Sequence, residues 1–547
     1  MSPNACLDDL PIEIIASILK VCDYRTVLRF SSTNTRYREI VGGSSSLQLL
    51  IELEINGLEI LKKGVDSSDE SLLKELRRCL LVRRSLNYLA PQAYRVAESW
   101  RPGIKIYNYM IHGDHYFGLY DELDIEDPDD LNFTSLLIVD LSRREYEEPV
   151  YLSFETRFRS FDADLTQELV VLTEARSGDP TLSRFHFCST IDGKPHPLAR
   201  HALISIQLED PGFDELIPSP VLDIQTEISG KVLIIGYHWS DLAFGIFELL
   251  IFDWVSGALL GRIRSEAAIS RAFTLLDNQH LALLSATRSN NSPHPDMVVL
   301  MIYQIPCIAL PDQDEGGSFN ASSYPSLAPI LVLHFPPIQD SLVFRGSTTG
   351  FILRTNPGVG QAMFGGPSIF VCARVPVFEI RMSFHNFQSE THNFSYQIYI
   401  STYHIFELLA RREPGQETFS WNEWGPRATR WFDYTGNRSP LMGTQCVRWI
   451  GSGSYHKLST IEFNPRPLEG PPVQTEMFGS NVKSVFHAGF KEPVESCLPY
   501  RITCPENAST MRKCRRWDIQ GHRLIGYLSR NNMLRSPAIL ICDSPPT

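Results

Sequence analysis

The sequence has no stretch of the roughly 18 apolar residues that a membrane-crossing helix needs. Its longest apolar runs, such as Met297–Tyr303 and Ile330–Leu333, have the length of core strands. The opening MSPNACLDDL has neither a basic n-region nor an apolar h-region, so no secretory leader is expected. There is no Cys-x-x-Cys pair. The 11 cysteines are odd in number and scattered, which suits free thiols in a reducing compartment and excludes a disulfide frame or a zinc ribbon. A basic excess is also missing. With 50 Lys and Arg against 63 Asp and Glu, the formal charge is −13, which argues against a general binder of nucleic acid or anionic membrane. Residues 1–100 carry 13 basic and 13 acidic residues, so the excess acid lies entirely in residues 101–547. The expected location is cytoplasmic and/or nuclear.

What is present is an ordinary globular composition, 43% hydrophobic and 21% charged. A chain of 547 residues has room for several domains, or for fewer if one is a long repeat-built β domain. Residues 10–90 read as helical. Leu10, Ile14, Ile15, Ile18, Leu19 and Cys22 recur at three- and four-residue spacing, one face of a helix, and Pro11 suits its first turn. Val27, Leu28 and Phe30 mark a second short helix. Tyr37, Ile40 and Val41 mark a third, stopped by Gly42-Gly43. Three helices this short cannot bury all their apolar faces internally, so a partner is expected.

The ordered set Leu10-Pro11-x-Glu13-Ile14-Ile15-x-x-Ile18-Leu19, then Val27-Leu28-Arg29-Phe30-Ser31, then Thr35-Arg36-Tyr37-Arg38-Glu39-Ile40 resembles an F-box. Val21-Cys22, where an aliphatic is common, and Tyr37, where Trp or Phe is commoner, are departures from that pattern. The resemblance implies docking on the small adaptor subunit of cullin-RING ubiquitin ligases. Leu10, Pro11, Glu13, Ile14, Ile15, Ile18, Leu19, Val27, Leu28, Arg36 and Tyr37 would form the docking surface. Such a protein does no bond chemistry; it raises the effective concentration of a substrate lysine near the charged ubiquitin-conjugating enzyme.

Residues 44–103 read as a helical linker. Leu47, Leu50, Ile51 and Leu53 form one apolar stripe. Leu73, Leu76, Leu80, Leu81 and Leu86 form another, with Lys74, Arg77, Arg78, Arg83 and Arg84 mostly opposite. This is the pattern of a connector packing on both neighbours. Together with the Leu/Arg-rich run ending near Trp100, it is similar to a group of fungal F-box proteins.

From about Ile104 the texture changes to apolar runs bounded by Gly, Pro, Asn and Asp, including Lys231–Tyr237, Phe247–Trp254, His280–Ser285 and Ala538–Cys542. Helical periodicity is not evident, so residues 104–547 are expected to be all-β. Ile138-Val139-Asp140-Leu141, Ile251-Phe252-Asp253-Trp254 and Arg516-Trp517-Asp518-Ile519 share an apolar–Asp–apolar form that resembles the outer strand and turn of a WD-type propeller blade. The fold expected is α+β multidomain: an all-α F-box (1–43), a helical linker (44–103) and an all-β domain, a β-propeller of about seven blades. Two consecutive β-sandwiches are the competing architecture.

Beyond the F-box face, Arg512, Lys513, Arg515 and Arg516 could read an acidic or phosphorylated substrate, or form an exposed turn. Asp114 to Asp130 holds eight acids and no Lys or Arg, as in a solvated loop or a patch for a basic segment. His112-Gly113-Asp114-His115 has ligand chemistry but too few donors for a metal site. Gly451-Ser452-Gly453-Ser454 lacks the context of a nucleophile elbow, and Gly358-Val359-Gly360 misses the phosphate-loop patterns. Trp421, Trp424, Trp431 and Trp449 read as core. The leading reading is a ubiquitin-ligase substrate receptor that binds the adaptor and an unknown protein substrate. It needs no cofactor, metal, nucleic acid or membrane. A non-ligase propeller scaffold is the alternative, and a propeller enzyme has little support because no acid–base pair or nucleophile stands out.

Overall fold

A computed structural model of the chain describes all residues except 1–6, 8–9, 62–66, 86–92, 98–104, 113, 122–132, 142–148, 175–178, 180, 210–221, 240–246, 266–267, 288–296, 308–315, 345–350, 365–367, 387–388, 435–438, 451–456, 464–474, 480–481, 504–513, 521–522, 529–537 and 544–547. Helices come first: α1 (Ile12–Leu19), α2 (Tyr24–Thr33), α3 (Thr35–Gly43), α4 (Ser45–Asn56) and α5 (Asp69–Ser85). Each of the middle three starts where a short polar side chain takes up orphan backbone amides. Asp23 accepts from the amides of Arg25 and Thr26, Asn34 from that of Tyr37, and Ser44 from that of Leu47. Pro11 sits at the N-cap of α1 rather than inside its first turn. Ile15, Leu19, Val27, Tyr37, Ile40, Val41, Leu47 and Ile51 form one small core, and the rings of Phe30 and Tyr37 stack 4.0 Å apart.

The rest is strand-rich, about half of the described residues being strand. One long hydrogen-bonded sheet turns a corner at Phe158 in strand Val150–Asp164. That residue pairs with Phe133 on one side and Glu174 on the other, with register shifts on both. Counted as two, and with two two-stranded pairs set aside, it gives the first and second of seven larger, mainly antiparallel sheets among the described residues. The first is Lys105–His112, His115–Asp121, Phe133–Asp140 and the start of Val150–Asp164. The second is the end of that strand with Leu169–Glu174, Leu182–Ser189 and Leu203–Gln207. The third is Leu222–Ser229, Val232–Trp239, Phe247–Asp253 and Ala258–Ser265. The fourth is Ala268–Leu275, His280–Thr287, Met297–Gln304 and Leu331–His334. The fifth is built on Phe351–Arg354, Val377–Asn386, Ser389–Ser401 and Thr429–Asp433. The sixth is built on Gln445–Ile450, Lys457–Glu462, Tyr500–Thr503 and Thr475–Phe478. The seventh joins Cys514–Gln520, Arg523–Leu528 and Ala538–Asp543 to Ala93–Ala97. The linker therefore does not stay helical to Trp100: Ala93–Ala97 is a strand, and the β part begins there.

Successive residues of a strand point to opposite faces. Here both faces of each sheet are covered. Leu136 and Ile138 enter a core shared with Val170 and Leu172 of the second sheet. Val171 and Phe187 pack on Leu233 and Ile235 of the third. Ile234, between those two, packs instead with Leu283 and Leu300 of the fourth and Ile380 and Ile398 of the fifth. Tyr399 joins Cys446 and Ile461 of the sixth. Val447 and Leu458 meet Trp517 and Leu524 of the seventh. Ile525 meets Tyr116, Leu137 and Val139 of the first. The succession of shared cores thus returns to its start. Burial on both faces also explains why Val232–Tyr237 reads as a continuous apolar run rather than an alternating one. Fully burying one such side chain contributes ~1.5–3 kcal/mol.

Two features were not expected. The segment Thr355–Phe364 touches four sheets: Thr355 meets Thr274, the Val359 carbonyl accepts from Ser229, Asn356 donates to the Ile519 carbonyl, and Gly443 donates to the Asn356 carbonyl. Two helices, α6 (Thr402–Arg411) and α7 (Trp421–Ala428), interrupt the β region. In α7 the Ser420 and Glu423 side chains form a capping box, and Trp421 covers Gly425 so closely that a Cβ there would lie 2.2 Å from the ring. Trp421, Trp424 and Trp431 pack with Phe335, Tyr396 and Phe490 as core, as expected. The described cysteines are free thiols, with Cys188, Cys372 and Cys446 buried. No described helix is long and apolar enough to cross a membrane.

Candidate functional site

The most distinctive surface is on α1 and α2. In α1 the 3.6-residue period divides the isoleucines. Ile15 and Leu19 turn inward, 1% and 4% exposed, while Ile14 and Ile18 stand 47% and 45% open. Ile12 at the start of α1, Val21 past its end and Leu28 on α2 are exposed as well. Of the residues expected to dock a partner, Pro11, Glu13, Ile14, Ile18, Leu28 and Arg36 are exposed and Leu10 is half-buried. Ile15, Leu19, Val27 and Tyr37 are core instead. Their part in this surface is to hold α1 in place, not to touch a partner. Ile12 and Val21 were not among the residues expected to dock; Ile12 points away from Ile14 around the helix and Val21 lies past its end.

This face is mounted on the β region without slack. The Tyr24 amide donates to Glu54 at 2.9 Å, and Arg25 bonds the Tyr403 hydroxyl of α6 while lying over its ring. Gly57 ends α4 with φ +67°, and its carbonyl accepts from the amides of both Ala373 and Arg374. Leu58–Ile60 then pairs with Phe370–Cys372. Leu49, Leu72, Leu73, Leu76 and Leu80 share a core with Phe364, Val447 and Trp517. Arg83, expected on the polar side of the linker, is buried and donates to the Met442 carbonyl and the Thr444 hydroxyl, both at 3.0 Å. Leu81, expected on the apolar side, is exposed.

The other candidates do not assemble into a site. Arg512 and Lys513 lie outside the described residues. Arg515 and Arg516 lie on strand Cys514–Gln520, and their side chains are not among those described. Of the acidic stretch, Asp114 is buried and its carbonyl accepts from the Leu141 amide at 2.6 Å, so it is not part of a solvated loop. Residues 122–130 lie outside the described residues. His112 and His115 face each other across a tight hairpin, and burial lowers the His112 pKa. Among the described residues no cluster of three or more His, Cys, Asp or Glu could hold a metal ion. Gly358-Val359-Gly360 is part of the four-sheet crossing segment, whereas residues 451–454 lie outside the described residues. The Trp449 side chain is also not among those described. A hollow of about 20 Å³ is lined by Asp223, Gln225, His238, Phe247, Leu249 and Phe273. That is far too small for a small-molecule site. Arg430, next to Trp431, is a buried tie that donates to the carbonyls of Leu498 and Val482 and to Ser484.

No family model and no curated protein matches the sequence. Among solved structures, a subtype N10 neuraminidase-like protein from a little yellow-shouldered bat isolate overlaps 76% of this chain and 99% of its own, at 8% identity and a TM-score of 0.26. A prolyl endopeptidase overlaps 72% of this chain and 56% of its own, at 12% identity and a TM-score of 0.23. A dihydro-heme d1 dehydrogenase overlaps 80% and 85%, at 9% identity and a TM-score of 0.21. Overlaps this loose carry neither a fold nor an activity to this chain.

Proposed function

We propose that this chain is a substrate-receptor subunit of a cullin-RING ubiquitin ligase: an F-box at α1–α3, a docked linker and a seven-bladed β-propeller. The observation that carries the reading is the split of α1. A unit with a complete small core still leaves Ile14 and Ile18 open on the outward side of α1. Large apolar side chains left open beside a complete core are what a protein interface offers. The propeller is supported by the succession of cores that passes through seven sheets and returns to the first. It is supported also by the pairing of Ala93–Ala97 with Ala538–Asp543, which joins the two ends of the β region in one sheet. A segment that touches four sheets at once fits sheets converging on a common axis.

In this reading the receptor works by geometry. The adaptor takes up the isoleucine face, the propeller holds the substrate, and the linker core fixes the distance between them. The test is capture of purified adaptor by the wild-type protein and by an Ile14→Asp/Ile18→Asp variant. Capture that is lost in the variant at unchanged melting temperature is the expected result. Equal capture by both proteins overturns the proposal.

A further inference from the structure

Lysine is scarce in this chain and unevenly placed. There are 11 lysines against 39 arginines, and none falls between Lys231 and Lys457. Those 225 residues carry 14 arginines, so basic charge is kept there while the amine is missing. They build most of the third sheet, the whole of the fourth and fifth, and helices α6 and α7. Packing accounts for some of these arginines. Arg262 and Arg448 are buried, and each spreads its donors over two acceptors: Glu248 and the Tyr324 carbonyl for Arg262, Gln397 and the Asp433 carbonyl for Arg448. Arg411, Arg412 and Arg427 are different, because all three are exposed. Arg411 pairs with Glu407 one turn back on α6, a bond that lysine makes as well. Arg412 donates to the Ile330 carbonyl, as an ammonium can. Helix propensity does not separate the two residue types.

What separates them is reactivity. A lysine can shed its proton and become a nucleophile, whereas a guanidinium stays protonated. In ubiquitin transfer the free amine attacks the thioester carbonyl of ubiquitin carried on the conjugating enzyme. A C–N isopeptide bond forms, the C–S bond breaks, the thiolate stays on the enzyme and the proton lost by the amine goes to solvent. A receptor lysine held near that thioester would compete with the substrate at high effective concentration. The lysine-free part of the ring is also where the first helices are mounted. Arg25 of α2 bonds Tyr403 of α6, the Arg374 guanidinium donates to the Glu54 carbonyl of α4 at 3.2 Å, and Leu58–Ile60 pairs with Phe370–Cys372.

We infer that the side of the β region formed by the third to fifth sheets with α6 and α7 faces the ubiquitin-charged conjugating enzyme, and that arginine in place of lysine there keeps the receptor from being modified by its own ligase. The inference rests on the ligase reading above and adds to it which side is turned toward the thioester. Two lysines from later in the chain approach this side, and each is held by a carboxylate. Lys491 pairs with Asp340 at 2.7 Å, and Lys483 with Glu495 at 2.6 Å. The hydrogen bond from Glu495 raises the Lys483 pKa, which leaves less of it as free amine. Lys194, on the loop that follows the third strand of the second sheet, is 79% exposed and lies outside the lysine-free stretch.

The experiment reconstitutes the full chain with purified adaptor, cullin, RING subunit, activating and conjugating enzymes and ubiquitin, without substrate. Wild type is compared with an Arg411→Lys/Arg412→Lys/Arg427→Lys variant, and mass spectrometry maps the conjugated lysines. Adaptor capture by both proteins is measured first. The expected result is equal capture, an unchanged melting temperature, self-modification several-fold above wild type, and more ubiquitin at the three new lysines than at Lys194. Equal capture with conjugates confined to the native lysines, or with Lys194 modified more than the new positions, overturns the inference and leaves the ligase reading standing. Failure of the wild type to capture the adaptor overturns the ligase reading itself, and the inference with it. If the triple variant does not fold, Glu413→Lys, at an exposed position just after α6, gives the same readout.

Discussion

Leu524 and Ile525 are neighbours in one strand, yet they are buried in two different cores: Leu524 against the sixth sheet and the linker helices, Ile525 against the first sheet. Each is fully buried. Among the described side chains of the seventh sheet, Ile525 is the one in the core that joins the last sheet to the first, so its truncation tests that joint. Ile525→Ala should lower stability by ~2–5 kcal/mol, as large-to-small changes in a tight core do. Denaturant titration reads this as a lower midpoint at an unchanged slope. A loss below ~1 kcal/mol would mean that the sheets do not close on one another.

The two faces of α1 should separate by experiment. Ile14→Asp and Ile18→Asp place a charge where water already reaches, so the melting temperature should move little. Ile15→Asp buries an unpaired carboxylate in the helical core and should unfold α1–α3, costing several kcal/mol. Circular dichroism of the three purified variants distinguishes them. Equal helical loss in all three would show that the outer isoleucines are also core.

Gly57 fixes how the helical unit meets the β region. Its φ is +67°, and a Cβ there would lie 2.0 Å from the Arg374 carbonyl oxygen. The backbone conformation alone costs a branched residue ~1–3 kcal/mol, before the clash is counted. Gly57→Val should therefore undock α4 and expose its junction with Arg374 to limited proteolysis, while the β region keeps its own unfolding transition. Protection equal to wild type would rule out this role.

The Asp23 cap gives a prediction with a definite pH sign. The Thr26 hydroxyl, at 2.6 Å, with the Thr26 and Arg25 amides, holds its carboxyl below the usual aspartate value. Its stabilisation is present above the unfolded pKa near 4 and is lost as pH falls through the lower folded value. Asp23→Ala should cost ~0.5–2 kcal/mol at neutral pH, toward the low end because the site is exposed. The difference from wild type in chemical denaturation should shrink as pH falls below about 4. A difference independent of pH would assign the effect to something other than the carboxylate.

The three N-terminal helices and the strand-rich remainder were legible because their signals are local: apolar residues at three- and four-residue spacing stopped by Gly42-Gly43, and apolar runs bounded by turn residues. What stayed hidden depends on partners distant in sequence. Ala93–Ala97 follows a Leu/Arg-rich helix and carries little periodicity of its own; it is a strand because Ala538–Asp543 supplies its hydrogen bonds. In α7, Gly425 and Pro426 argue against a helix, and the Trp421 packing outweighs them. The signal that could have been read is Ser420-x-x-Glu423, a capping box. In α6 it is the spacing of Ile405, Leu408 and Leu409. The shared apolar–Asp–apolar form proved only partly structural. Asp140 and Asp253 end strands, whereas Asp518 lies inside one. The outward half of α1 could not be separated from its inward half by period alone, because isoleucine occupies both.

The pairing of Ala93–Ala97 with Ala538–Asp543 also sets a timetable. During synthesis, the earlier strand leaves the ribosome more than four hundred residues before the one that completes its sheet. It must wait as an unpaired edge, exposed to the wrong neighbours, until Ala538–Asp543 has been made. Closing so long a loop is slow. A nascent chain of this design is therefore a natural client for chaperones until the last strand arrives.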